Sequence, residues 1–163
     1  MSKIASNISF HNDFCLLIVC LECLPEWSLF RNSCYKVYTS PNTWDVAIQK
    51  CLDLNSKLVD ITNSEENVFV TNLVEAAGFD RTWIGLSDRH QENQFVWTDG
   101  AYSDFTNWNT REPNGITNEN CVFIESSNSK WADVGCNDSY SSICEKTGWF
   151  NVSIFPSFII SYP

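Results

Sequence analysis

Residues 43–86 read TWDVAIQKCLDLNSKLVDITNSEENVFVTNLVEAAGFDRTWIGL, and the change of periodicity along them decides the fold class. Trp44, Ala47, Ile48, Cys51 and Leu52 recur at three- and four-residue spacing, which predicts an amphipathic helix after the Pro41-Asn42-Thr43 break. LVDI at 58–61 reads as a short apolar strand. Asn63-Ser64-Glu65-Glu66 then offers a cap and an acidic first turn, Val70, Leu73, Val74 and Ala77 an inward stripe, and Gly78 a stop. From Thr82 onward the pattern shortens to strands between polar loops: TWIGL, QFVWTDG, CVFIE, KWADVGC and SSICEK. Helices early and strands late predict an α+β domain.

Working outward, CLPEWSLFRNSCYKVY from Cys23 reads as an extended, hairpin-like segment. At 163 residues and 44% hydrophobic content the chain suits one compact domain. Its net charge of -10, with the basic residues scattered, excludes a phosphate-backbone partner, because nucleic-acid binding needs clustered Lys and Arg. Eight cysteines indicate an oxidising compartment. Neither His11 nor His90 stands at zinc-ligand spacing from a cysteine pair. Asn7, Asn137 and Asn151 each begin an N-x-S/T sequon, and Asn137 and Asn151 are the candidates for glycosylation in the mature protein.

The apolar run Phe14–Leu21 behind Lys3 is too short to span a bilayer and predicts a leader over residues 1–22, with a buried terminal strand or a mispredicted start as the alternatives. Losing Cys15 and Cys20 with that leader would leave six cysteines. The tail at 147–163 is apolar, interrupted by Pro156 and also too short for a membrane span.

The segment from Gly100 to Asn120 is long for a loop in a compact domain, and its Trp108 argues for order rather than disorder. Within it, Glu112–Cys121 reads EPNGITNENC. Pro113 and Asn114-Gly115 are explained by turn chemistry; Glu112 and Glu119 are not.

Taken together, CLPEWSLFRNSCY, the helix cysteine Cys51, WIGL at 83–86, EPN at 112–114, Glu119-Asn120-Cys121, KWADVGC and ICEK resemble the C-type lectin domain over about Cys23 to Lys146. The resemblance implies a C-type lectin-like fold: two helices, antiparallel sheets and a long calcium- and sugar-binding loop, stapled by Cys23–Cys34, Cys51–Cys144 and Cys121–Cys136. Six cysteines allow about fifteen pairings, and the sequence alone does not choose among them.

By the same resemblance one Ca²⁺ would be held by Glu112, Asn114, Glu119 and Asp133, and these four residues would also bind the carbohydrate. Two vicinal sugar hydroxyls and the Asp133 carbonyl would complete the coordination, within the roughly six to eight oxygens that calcium accepts. The Glu112–Pro113 bond would be cis. Glu-Pro-Asn implies a preference for mannose, fucose, glucose or N-acetylglucosamine. Where the family's sugar binders usually carry Trp-Asn-Asp, this chain has Trp131-Ala132-Asp133, so one amide ligand is missing. A second metal site, more weakly indicated, would use Asp88, Glu92 and Asn120 beside Glu119, with Gly115 where a carboxylate is expected.

Trp83, Trp97, Trp108 and Trp131 read as core and loop anchors, because large aromatics dominate burial. Ile116 is a solitary apolar loop residue. The expectation is therefore a secreted, reversible glycan-binding domain of innate recognition, not an enzyme and not membrane-spanning, for which a homo-oligomer would supply avidity. The competing reading is a protein-recognition or matrix module whose sugar site was lost through Ala132. A Glu112/Glu119 general acid and base pair lacks any accompanying catalytic motif.

Overall fold

The computed structural model describes residues 8–10, 15–115 and 117–156; Ile116, named above, lies outside them. The chain divides into Met1–Cys34 with Thr147–Pro163, and Tyr35–Lys146.

In the first unit β1 (Ile8–Phe10) pairs antiparallel with β2 (Cys15–Glu22). β2 in turn pairs along its whole length with β11 (Trp149–Pro156). Residues 15–22 of the segment read as a leader and residues 149–156 of the apolar tail are thus strands. The short β3 (Ser28–Phe30) and the Cys23–Cys34 disulfide, with Cα atoms 5.6 Å apart, complete this unit. β4 (Ser33–Asn42) carries the chain into the second.

The second unit holds α1 (Trp44–Asp53), β5 (Lys57–Leu58), α2 (Ser64–Ala76), β6 (Arg81–Ser87), β7 (Val96–Trp97), β8 (Cys121–Glu125), β9 (Lys130–Val134) and β10 (Tyr140–Thr147). Asn63 caps α2 as its sequence predicts, its side chain accepting from the Glu66 N–H at 3.0 Å. At the other end the Gly78 and Phe79 N–H groups return to Glu75 and Val74, with Gly78 at φ 80°. That left-handed position is what glycine supplies at a helix stop.

The two stripes needed correcting. Leu52 is 54% exposed on α1 and Ala77 is exposed beyond α2, while Trp44, Ala47, Cys51, Val70 and Val74 are buried. α2 also buries Glu66, Asn67 and Thr71, polar residues outside the apolar stripe read from the sequence. Each has a partner. Tyr35 donates to Glu66 at 2.6 Å, the Trp131 indole N–H to Asn67 Oδ1 at 2.7 Å, and Thr71 to the Asn67 carbonyl at 2.8 Å. Hydrogen bonding removes most of the cost of burying them.

The sheet order is β4-β10-β6-β8-β9, with β5 on β10 and β7 on β6. It is mixed rather than antiparallel, because β10 and β6 run parallel at Ser141↔Thr82. The strand expected at 58–61 pairs only through Leu58, and QFVWTDG only through Val96–Trp97. Beyond Leu58 the backbone still bonds, from Val59 to Ile143 and from Gly85 to Val59.

Gly85 of WIGL packs directly against the segment 58–60. A Cβ there would be 3.0 Å from Asp60 Oδ1 and 3.1 Å from the Leu58 and Val59 carbonyls. Gly85→Ala should therefore destabilise the domain by about 1–3 kcal/mol, the usual cost of overpacking, read as a lower urea midpoint at unchanged slope.

Trp131 is fully buried at the centre of a ring cluster, edge-on to Trp97, Phe105 and Trp108 at centroid distances of 6.0, 5.6 and 5.9 Å. Trp83 and Trp97 are buried as expected and Trp108 is half-buried. The other two disulfides are Cys51–Cys144 and Cys121–Cys136, the pairings that the resemblance implied.

Candidate functional site

The loop after Gly100 is anchored before it reaches its acidic segment. Trp131 N–H donates to the Asn107 carbonyl at 3.0 Å, and Asn109 N–H donates back to the Trp131 carbonyl at 2.8 Å. Residues 107–109 thereby form a parallel bridge with β9 at Trp108↔Trp131. Asn107 adds a bond to the Ser129 carbonyl at 2.6 Å and accepts from Lys130 at 2.7 Å. A turn closed by Glu112 N–H on the Asn109 carbonyl, with Arg111 at φ 72°, leads into a cis Glu112–Pro113 peptide.

The opposing carboxylate comes from β9. Trp131 and Asp133 are two residues apart in a strand and so share a face, and both are buried. Asp133 is 3% exposed. Ala132 between them pairs with Phe123 and contributes no side-chain oxygen. Glu119 and Asn120 arrive from the loop's far end, immediately before β8 begins at the disulfide-bonded Cys121.

Glu112, Asn114, Glu119 and Asp133, the four residues expected to act together, are brought together. The Glu112 and Asp133 carboxyl groups lie within hydrogen-bonding reach of each other. Glu112 Oε2 and Asp133 Oδ1 are nevertheless buried with no donor. Asn114 Nδ2 donates to Glu119 Oε2 at 2.8 Å, and the Asn114 amide also supports Glu112. Burial pushes Glu112 up to about 7; Asp133 and then Glu119 add to the rise, against the Asn114 hydrogen bond. The arrangement is a set of oxygen acceptors short of positive charge.

Asp88 and Asn120 also meet, through the Asp88 N–H on the Asn120 carbonyl at 3.2 Å. Asp88 Oδ2 accepts from the Asn93 N–H at 2.8 Å, while Asp88 Oδ1 and Asn120 Oδ1 are buried and unpartnered. Burial raises the Asp88 pKa against the Asn93 bond, and the charge of Asp133 raises it further. Glu92, expected beside them, is exposed and, among the described residues, is engaged only at 3.5 Å by the Asn93 amide. Among the described residues no three His, Cys, Asp or Glu side chains form a metal-holding group by themselves, so any ion here would depend on amide and carbonyl oxygens as well. The orphaned acceptors of Glu112, Asp133 and Asn120 fit a hard cation of that kind.

The residue that sequence reasoning missed is Asn93. It fixes Asp88 through its backbone and stands 3.7 Å, by its Oδ1, from where a Cβ on Gly115 would be. A backbone donor leaves no side-chain signature. The sign of Glu112's shift gives a pH prediction for the ion-free protein. Its folded value lies above the ordinary 4.5, so the stability it contributes is full below about pH 4.5 and is lost as pH rises through about 7. Asp60 contributes in the same direction, raised by burial from 3.8 to about 7 against Lys57. In chelator, thermal midpoints should fall over this window, and Glu112→Gln should flatten the slope without removing the Asp60 part.

A family model described as Lectin C-type domain matches residues 40–146. The secretory phospholipase A2 receptor of Oryctolagus cuniculus is 35% identical over 129 residues, 78% of this chain. The chain spans about 9% of that receptor's length. The cow carbohydrate-recognition domain of CD23, solved in the presence of a GlcNAc2Man3 oligosaccharide, superposes at TM-score 0.71 with 32% identity, covering 78% of this chain and 98% of that one. A calcium-independent type II antifreeze protein superposes at 0.74 with 28% identity, covering 79% and 97%.

Proposed function

The chain belongs to the C-type lectin domain family, and from that premise we propose that it binds glycans through one Ca²⁺ held by Glu112, Asn114, Glu119 and Asp133. The observation that carries the reading is the pair of buried, donorless acceptors, Glu112 Oε2 and Asp133 Oδ1, on two carboxylates close enough for one to raise the pKa of the other. Two carboxylates in that position repel, and a divalent ion would offset the repulsion. When bound, calcium supplies coordination positions for a vicinal diol. The protein's own part is to orient it: carboxylate oxygens accept from the sugar hydroxyls and the Asn114 amide donates to one. With Ala132 in place of an amide, the ion is expected to bind no tighter than the roughly 0.1–1 mM of extracellular modules.

Glu-Pro-Asn supports mannose, fucose or N-acetylglucosamine as ligand. The disulfides support a secreted, extracellular protein, in which recognition of microbial glycans would gain its strength from clustered copies. No helix among the described residues is long and apolar enough to cross a membrane. The test is retention of the purified, oxidised protein on immobilised mannose at several millimolar calcium. Elution by chelator and by free mannose is expected; failure to bind mannose and a broad glycan set would refute the lectin reading.

A second reading has its own support. Ala132, and the similarity to a calcium-independent antifreeze protein, favour a protein-recognition module on the same fold. Capture of a defined protein partner that survives chelator would establish it.

A further inference from the structure

The sequon Asn137-Asp138-Ser139 takes no part in the calcium site, yet the fold brings it beside that site. It occupies the turn between β9 and β10, and all three residues are exposed. Asp138 N–H closes the turn on the Gly135 carbonyl at 3.0 Å. Among the described residues no hydrogen bond occupies the Asn137 amide. The turn also abuts the binding loop: a Cβ on Gly135 would lie 3.8 Å from the Asn118 carbonyl oxygen, and Cys136 is bonded to Cys121. Glu119 and Asn120 lie between those two attachment points.

We propose that Asn137 carries an N-linked glycan, and that this glycan shields the shoulder of the binding loop so that the site admits terminal sugars in preference to crowded, branched ones. The first half is independent of the lectin reading; the second rests on it. The donor is a lipid-diphosphate-linked oligosaccharide, and a secretory-compartment transferase catalyses the step. Asn137 Nδ2 forms a bond to the anomeric carbon, the bond from that carbon to the diphosphate oxygen breaks, and the lipid diphosphate leaves with the electron pair. The amide proton passes to the enzyme's base, and nothing is oxidised or reduced. The Ser139 hydroxyl two residues on completes the acceptor triplet.

An exposed, unoccupied amide on a turn meets the steric demand of a bulky modification, because neither the sheet hydrogen bonds nor the core is disturbed by it. The three disulfides place the chain in a compartment where such transferases operate. The consequence for binding follows from the attachment point. A branched ligand approaching Glu119 would meet the protein's own glycan, whereas a single terminal residue would not extend that far.

The experiment expresses the full chain behind a cleavable leader in a eukaryotic secretory line and maps the Asn137 peptide before and after peptide N-glycosidase. The expected result is a glycan mass on that peptide, lost with conversion of Asn137 to aspartate, and absent from both Asn137→Gln and Ser139→Ala. The second variant keeps the asparagine, so it separates loss of the sequon from any folding defect. Secreted, oxidised wild type with unmodified Asn137 would overturn the proposal. On immobilised ligands, wild type and Ser139→Ala should bind mannose alike, while Ser139→Ala binds a branched oligosaccharide several-fold more tightly. Equal binding of the branched ligand would overturn the shielding. If neither protein is retained on mannose although Asn137 is occupied, the calcium-lectin reading fails and the modification stands.

Discussion

Asp133→Asn should lower calcium-dependent retention on mannose by about 100-fold while leaving the calcium-free domain at least as stable as wild type. Loss of a mere supporting partner of a metal ligand costs about 10- to 100-fold, and Asp133 is proposed as a ligand itself. Its Oδ1 is buried without a donor, so the substitution breaks no hydrogen bond at that atom. What it does there is raise Glu112 through a shared hydrogen bond and through charge. An amide at 133 removes that like charge and can donate to Glu112, so the two effects have opposite signs. Retention measured with calcium and urea unfolding measured in chelator separate them. Unchanged retention would remove Asp133 from the site. Lower stability in chelator would mean that the carboxylate has a structural partner instead.

The second large effect is expected from Cys51→Ala/Cys144→Ala. This bond joins α1 to β10 across 93 residues, against 15 for Cys121–Cys136. In the loop-entropy description the first is worth about 4–5 kcal/mol and the second about 3 kcal/mol, because the longer loop restricts the unfolded chain more. Cys51 and Cys144 are also fully buried, so the alanines leave unfilled core volume. For a domain of ordinary stability, roughly 5–15 kcal/mol, such a loss approaches the whole margin. Denaturant midpoints of the two paired-alanine variants provide the comparison. A smaller loss for Cys51/Cys144 than for Cys121/Cys136 would show that the unfolded chain, rather than loop length, sets the balance.

Much of the architecture was legible from local patterns. Asn63, Glu66 and Gly78 mark the bounds of α2 because caps and stops are decided within a few residues of the chain. The outward turn of Leu52 and Ala77, and the burial of Glu66, Asn67 and Thr71, were not legible. Whether a side chain is covered depends on what packs against the helix. For Asn67 that neighbour is Trp131, 64 residues away, whose indole needs an acceptor. The parallel pairing of β6 with β10 is likewise a long-range choice.

The sequence by itself marked the two helices, most of the short strands and the two carboxylates, Glu112 and Glu119, that a turn around Pro113 does not require; the resemblance to the C-type lectin domain added Asn114 and Asp133. The tertiary structure alone decided how those residues meet. Asn107 and Asn109 bind the loop onto Trp131, and strand alternation carries the direction of that anchor two residues on to Asp133, opposite Glu112. It also decided that Glu92 stays in solvent while Asn93 holds Asp88, since a backbone N–H is the same in every residue but proline and its direction is set only by the folded chain.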